Sequence, residues 1–177
     1  HRVCVCVRDQ WPGSINDLDF RPVVRDADAF LLCARHVPEV AEMSRNDVVS
    51  RKVPEPAKKS CAYFRVWCVV ELSAAVKYGK PVVMLVGAAS EDGGAFEPNG
   101  AMLRNLFHMV DVRLAVATVE ADRVRELDNV EKEEGGADAV NTLARGAIAG
   151  AEKCMERPDI LAAAVGNLEP LRALTTK

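Results

Sequence analysis

Ala62-Tyr-Phe-Arg-Val-Trp-Cys-Val-Val-Glu-Leu-Ser-Ala-Ala-Val-Lys-Tyr-Gly79, followed after Lys80 by Pro81-Val-Val-Met-Leu-Val86, is the stretch whose reading decides the fold. Its first part reads as a helix that Ser60 can cap and Gly79 can stop in the left-handed conformation. Its second part reads as a buried strand. Between Val66 and Val76 every residue is apolar or small except Glu71. A lone carboxylate in such a window must be paired, solvated in a cleft, or raised in pKa by desolvation.

Upstream, Val3 to Val7 is a short β-branched and thiol run that ends in Arg-Asp-Gln-Trp-Pro-Gly, a Pro-Gly turn signal. Asn16, Asp17 and Asp19 offer N-caps, and Leu18, Val23, Val24 and Ala27 give a short amphipathic helix with Pro22 in its first turn. Ala29 to Ala34 is a continuous apolar run, the pattern of a parallel strand buried on both faces. Val37 to Lys59 holds Pro38, Pro54 and Pro56 without a sustained period and reads as a long loop, with a helical turn or two between Pro38 and Ser50.

Downstream, Gly87 to Gly100 reads as a small, acidic, flexible loop, Ala101 to Met109 as a short helix, and Asp111 to Thr118 as an alternating edge strand. Glu120 to Glu134 is charged helix, interrupted by Gly135-Gly136. From Val140 to Met155 apolar residues recur at helical spacing, with Gly146-x-x-x-Gly150 read as a site of close helix packing. Ile160 to Val165 and Leu168 to Leu174 read as short helical pieces. Alternating strands and helices predict a doubly wound α/β fold with a parallel sheet and right-handed crossovers. Residues 1–118 form the expected α/β domain and 119–177 a helical extension packed on it.

With 177 residues the chain is long enough to bury a core without disulfides or metal. A net charge of -3 and a pI near 5.7 argue against general affinity for nucleic acid or an anionic membrane. The basic clusters at Arg51 to Lys59 and Arg21 to Arg25 read as solvated surface. The sequence holds no apolar run of about 18 residues. Its six cysteines (Cys4, Cys6, Cys33, Cys61, Cys68, Cys154) include no Cys-x-x-Cys pair and read as buried free thiols, which fits a reducing cytosol. Cys4-x-Cys6 lacks the further ligands of a metal site, so no metal is expected. The chain opens at His1 directly on a strand, which makes a fragment the expectation.

Two motifs, in the right order and on the right elements, resemble the Toll/interleukin-1 receptor (TIR) domain family. Arg8-Asp9-Gln10-Trp11-Pro12-Gly13 matches the Arg-Asp-x-x-Pro-Gly loop after the family's second strand. Trp67-Cys68-Val69-Val70-Glu71-Leu72 matches Trp-Cys-x-x-Glu-Leu on its third helix, and a strand follows as the family requires. The resemblance covers roughly His1 to Thr118 and implies a flavodoxin-like sheet in which the family's first strand and helix are missing. Arg65 stands where the family usually has Ser, and no Phe-Trp pair occurs near the end.

The resemblance implies a cytoplasmic signalling module that associates with itself or with TIR-type partners. In that role Arg8, Asp9, Pro12 and Gly13 form an interaction loop. It also implies an alternative, because some TIR domains hydrolyse NAD+ at the nicotinamide-ribose bond with the glutamate of the third helix. Glu71 would be catalytic, stabilising an oxocarbenium-like centre in a dry pocket, and NAD+ would be a substrate, with no bound cofactor. Trp11 and Trp67 would be substrate-binding: Trp11 would stack on a ring or meet a partner, and Trp67 would wall the pocket. Plain core for Trp67, and for Glu71 pairing with a distant Arg or Lys, stand beside these roles. Cys68 has no base near it in sequence and reads as a structural thiol. A third reading is a nucleoside deoxyribosyltransferase-like enzyme, whose fold is related and which also uses a glutamate at a ribose.

Overall fold

The structure is a computed structural model that describes residues 3–6, 20–35, 37–89, 96–98 and 100–155. Three parallel strands, β1 (Val3–Cys6), β2 (Ala29–Arg35) and β3 (Val82–Ala89), lie side by side in chain order, and β4 (Phe96–Pro98) adds antiparallel to β3. The register pairs Val5 with Leu31 and Leu31 with Val83. The protein is thus mixed α/β with a parallel sheet at its centre. β1 pairs directly with β2, so the described strands close up without a gap, and they show no reversal of strand order.

Helix α1 (Arg21–Asp26) joins β1 to β2, with Pro22 in its first turn, where a missing N–H costs nothing. Its N-cap is Phe20, with no side-chain hydrogen bond, in place of the upstream Asn or Asp caps expected. Three short helices follow where a loop was read: α2 (Pro38–Ala41), α3 (Arg45–Val49) and α4 (Glu55–Ser60). Pro38 and Pro56 stand in the first turns of α2 and α4, and the Ser44 hydroxyl accepts from Asp47 N–H to cap α3. The prolines that broke the period here are helix starters.

A single 3₁₀ turn over Ala62–Phe64 leads into α5 (Val66–Lys77). Ser60 does not cap α5; it closes α4, its hydroxyl donating to Pro56 O, and the N-cap of α5 is Arg65. Arg65 is instead held by a parallel bridge to Val116, the one ladder contact of the segment expected as an edge strand. That segment is a 3₁₀ turn at Val112–Leu114, capped by Asp111. Gly79 ends α5 at φ 65, as its sequence position implies.

α5 is buried at every residue from Val66 to Ala75, and it packs on β2, β3, α1 and three further elements of the C-terminal half. These are the 3₁₀ turn at 112–114, α7 (Glu120–Lys132) and α8 (Gly136–Met155). α6 (Gly100–Met109) packs on β3, α2, α3 and α8. A helix apolar all round belongs at the centre of a core, and Val66, Leu72 and Ala75 are fully enclosed here. Gly135 and Gly136 turn α7 into α8 at φ 80 and 52. Gly146 and Gly150 face open space, so they are not a close-packing motif.

The sheet is covered unequally. Phe30, Leu32, Ala34, Met84 and Val86 are buried, whereas Leu31 and Val83 are half-buried and Cys33 is exposed. The expected burial of β2 on both faces is therefore corrected. Strands laid in chain order with right-handed crossovers put their helices on one face, and α1 and α5 do touch. No described helix is long and apolar enough to cross a membrane.

Candidate functional site

Glu71 lies in the middle of α5, where the helix meets α1 and α7. It is 4% exposed, and its Oε2 has no hydrogen-bond partner. Glu126 of α7 is 1% exposed and accepts from Arg21 Nη2 of α1 at 2.7 Å. Arg21 Nε also donates to Glu133 Oε1 at 2.9 Å, and Lys77 Nζ of α5 donates to Glu133 Oε2 at 3.2 Å. Two cations therefore balance Glu126 and Glu133, and Glu71 is left as a third acid. Burial, and then the negative charge of Glu126, push its carboxyl from an ordinary 4.5 up to about 7. Of the three fates open to an acid in this window, desolvation with a raised pKa is the one realised. The group can hold or release one proton near neutral pH.

A cleft of about 200 Å³ opens beside this cluster, with Arg21, Lys77 and Glu133 in its wall and Ala74 and Val140 along its sides. Glu71 does not line it. Ser73 does, but its hydroxyl donates to Val70 O at 2.8 Å. The Glu71 carboxyl is thus not among the groups that face this cleft.

Trp67 is buried against Phe20, its ring edge-to-face at 6.0 Å and 78°, and so fixes α1 on α5. Among the described residues this is the packing role. Arg8, Asp9, Trp11, Pro12 and Gly13 lie outside the described residues, as do the helical pieces read at 160–165 and 168–174. The cysteine expectation is corrected in two places: Cys33 is free but exposed, and Cys68 is disulfide-bonded. Cysteine usage then no longer argues for a reducing compartment. No group of ligating side chains that could hold a metal occurs among the described residues.

Arg21, Glu126, Lys77 and Glu133 are the members of the cluster that sequence reasoning missed. One signal was available for Glu126. It stands four residues before Val130, the buried apolar residue of α7, and so on the same helical stripe. Arg21 carried none, since its partners are fixed by tertiary packing alone.

The fold and site together define a mixed α/β protein built around a buried helix that carries one uncompensated acid. No family model, no curated protein and no solved structure matches the chain.

Proposed function

We propose that the chain is a TIR-like signalling module that acts by self-association or by homotypic contact with TIR-type partners. The observation that supports this reading is the position of Trp67 to Leu72 on the crossover helix between parallel β2 and β3, with both Trp67 and Glu71 taken up in packing. A segment used this way organises the core and leaves function to surfaces. The flavodoxin-like, doubly wound sheet and a cytoplasmic location belong to the same proposal and rest on the resemblance. Light scattering over a range of concentrations tests it: the wild type associates, and Trp11→Ala associates less. Monomeric behaviour of both at every concentration would overturn the reading.

One observation favours the alternative, an NAD+ glycohydrolase using Glu71. A buried carboxyl with an unpartnered oxygen and a pKa near neutrality, beside a cleft carrying Arg21, has the character of a functional acid. Glu71 does not line the cleft as it stands, so the helices would have to shift to bring it to a ribose there. Incubating the chain with NAD+ decides the matter: nicotinamide appears with wild type and is lost with Glu71→Ala. No nicotinamide from wild type, even when clustered, sinks the enzyme reading and leaves the association reading untouched.

A further inference from the structure

A second and larger depression, of about 580 Å³, opens between α3 and α6. Arg45 and Arg51 stand on one side and Arg104 and His108 on the other. Arg104 and His108 are four residues apart on α6 and so project from one face of it. No carboxylate lines the groove, in a chain whose net charge is -3. Two acids close in sequence to the lining or bonded to it are engaged. Asp47 Oδ2 accepts from the Ser44 hydroxyl at 2.7 Å, and Asp111 Oδ2 accepts from Arg51 Nη1 at 2.6 Å. Asp111 is itself held by Asn141 Nδ2 at 2.9 Å, which fixes the Arg51 side of the groove. Arg51 sits at φ 52, a conformation that residues with a Cβ rarely adopt. Arg45 is exposed and bonded to nothing among the described residues.

The rest of the wall is apolar. Met43 is half-buried, Val48 is buried, and Val49 is 74% exposed, an apolar surface in the same lining as the three arginines. The walls are preformed. Asn105 Nδ2 donates to Val40 O at 2.7 Å and ties α6 to α2, while Met102, Leu106 and Met109 anchor α6 in the core. The groove has the volume of a small-molecule site and three arginines in its lining, and guanidinium forks match the oxygens of a phosphoryl group.

We propose that this groove binds a small organic phosphate. Arg45, Arg51 and Arg104 hold the phosphoryl oxygens with a ring N–H of His108, and an apolar or aromatic body lies over Val49 and Met43. The sequence showed Arg51 only as part of a solvated basic cluster. Arg104 and His108, from a distant helix, and the apolar floor are what make it a site.

Phenyl phosphate, inorganic phosphate and phenol serve as probes, titrated calorimetrically into the full chain. Phenyl phosphate binds saturably and more tightly than inorganic phosphate, and phenol does not bind. Arg45→Gln/Arg104→Gln weakens phenyl phosphate by at least about tenfold. Should the double variant lose stability, Arg45→Gln alone, a change at an exposed and unbonded side chain, reads the same loss. Val49→Asp weakens phenyl phosphate as well. Absence of saturable phenyl phosphate binding to wild type overturns the proposal, and so does unchanged affinity in the arginine variants. Equal affinity for phenyl and inorganic phosphate also overturns it, since the apolar floor would then contribute nothing. Self-association lost in the arginine variants, with no phosphate binding, would assign the groove to the acidic surface of a second copy instead.

Discussion

Glu71 shows how far one residue can be read from its neighbours. An acid alone in an apolar helix had three fates, and the sequence could not choose because the choice depends on Arg21 and Glu126, which only the fold brings near. Both cations of the cluster are matched to Glu126 and Glu133, so ionising Glu71 adds a buried charge without a counter-ion. The unfolded chain releases this proton near 4.5 and the folded chain near about 7. Between those values the native state holds more protons than the unfolded state, so this group makes stability fall as pH rises through that window; outside it the contribution is flat. The loss above pH 7 is on the order of 3 kcal/mol. Glu71→Gln keeps the shape, cannot ionise, and can donate toward Glu126. Urea unfolding across a pH series should find the variant close to wild type near pH 4.5 and more stable by about 1–3 kcal/mol at pH 8. A wild-type-to-variant difference that does not change with pH would mean that Glu71 titrates normally.

At the scale of elements, α1, α5 and the α7 end are joined by apolar packing and by the ion pairs of Arg21 and Lys77 with Glu126 and Glu133. Trp67 against Phe20 sets α1 on α5, and Arg21 reaches from α1 to Glu126 and Glu133 of the α7 end. These helices were legible in the sequence because their cues are local: Pro22 in a first turn, the apolar run ended by Gly79, and Gly135-Gly136 between α7 and α8. Where the cue was misread, the cause was also local. Pro38 and Pro56 start helices as readily as they break them, and the alternation at 111–118 found no neighbouring strand to make it a ladder. The Arg21 link was invisible, since nothing in a sequence pairs residues of separate helices. Removing Arg21 takes its 2.7 Å guanidinium partner from Glu126, which is 1% exposed, and breaking one side of a buried pair costs up to about 3–5 kcal/mol. Arg21→Ala should therefore lower the urea midpoint sharply, and Arg21→Met/Glu126→Leu, which removes both charges, should recover most of the loss. A double variant as unstable as the single would show that Arg21 contributes packing and not charge.

At the scale of the molecule, the controlling feature among the described residues is a sheet buried more fully on one side. Its apolar strands were evident in the sequence, and a continuous apolar run ordinarily signals burial on both faces. That inference failed at Cys33. Leu31 and Cys33 alternate with Phe30, Leu32 and Ala34, and only the second set is fully buried. Periodicity says that a strand is apolar; it does not say whether a second layer is present. The two described free thiols report on this directly. Cys61 is fully enclosed and its thiol is pushed up to about 12 by burial. Cys33 is raised as well, also by desolvation, yet remains exposed. The thiolate is the reacting form, so alkylation of the native chain, followed by peptide mass mapping, should label Cys33 well before Cys61. The Cys33 rate should rise with pH and stay below the rate of the same cysteine in denaturant, because the face around it is apolar and partly dry. Cys61 should react only as fast as the core opens. Equal protection of the two thiols would place a second layer over Leu31 and Cys33 and would make the sheet a three-layer one. Labelling of Cys33 that slows as protein concentration rises would identify this face as the surface through which copies associate.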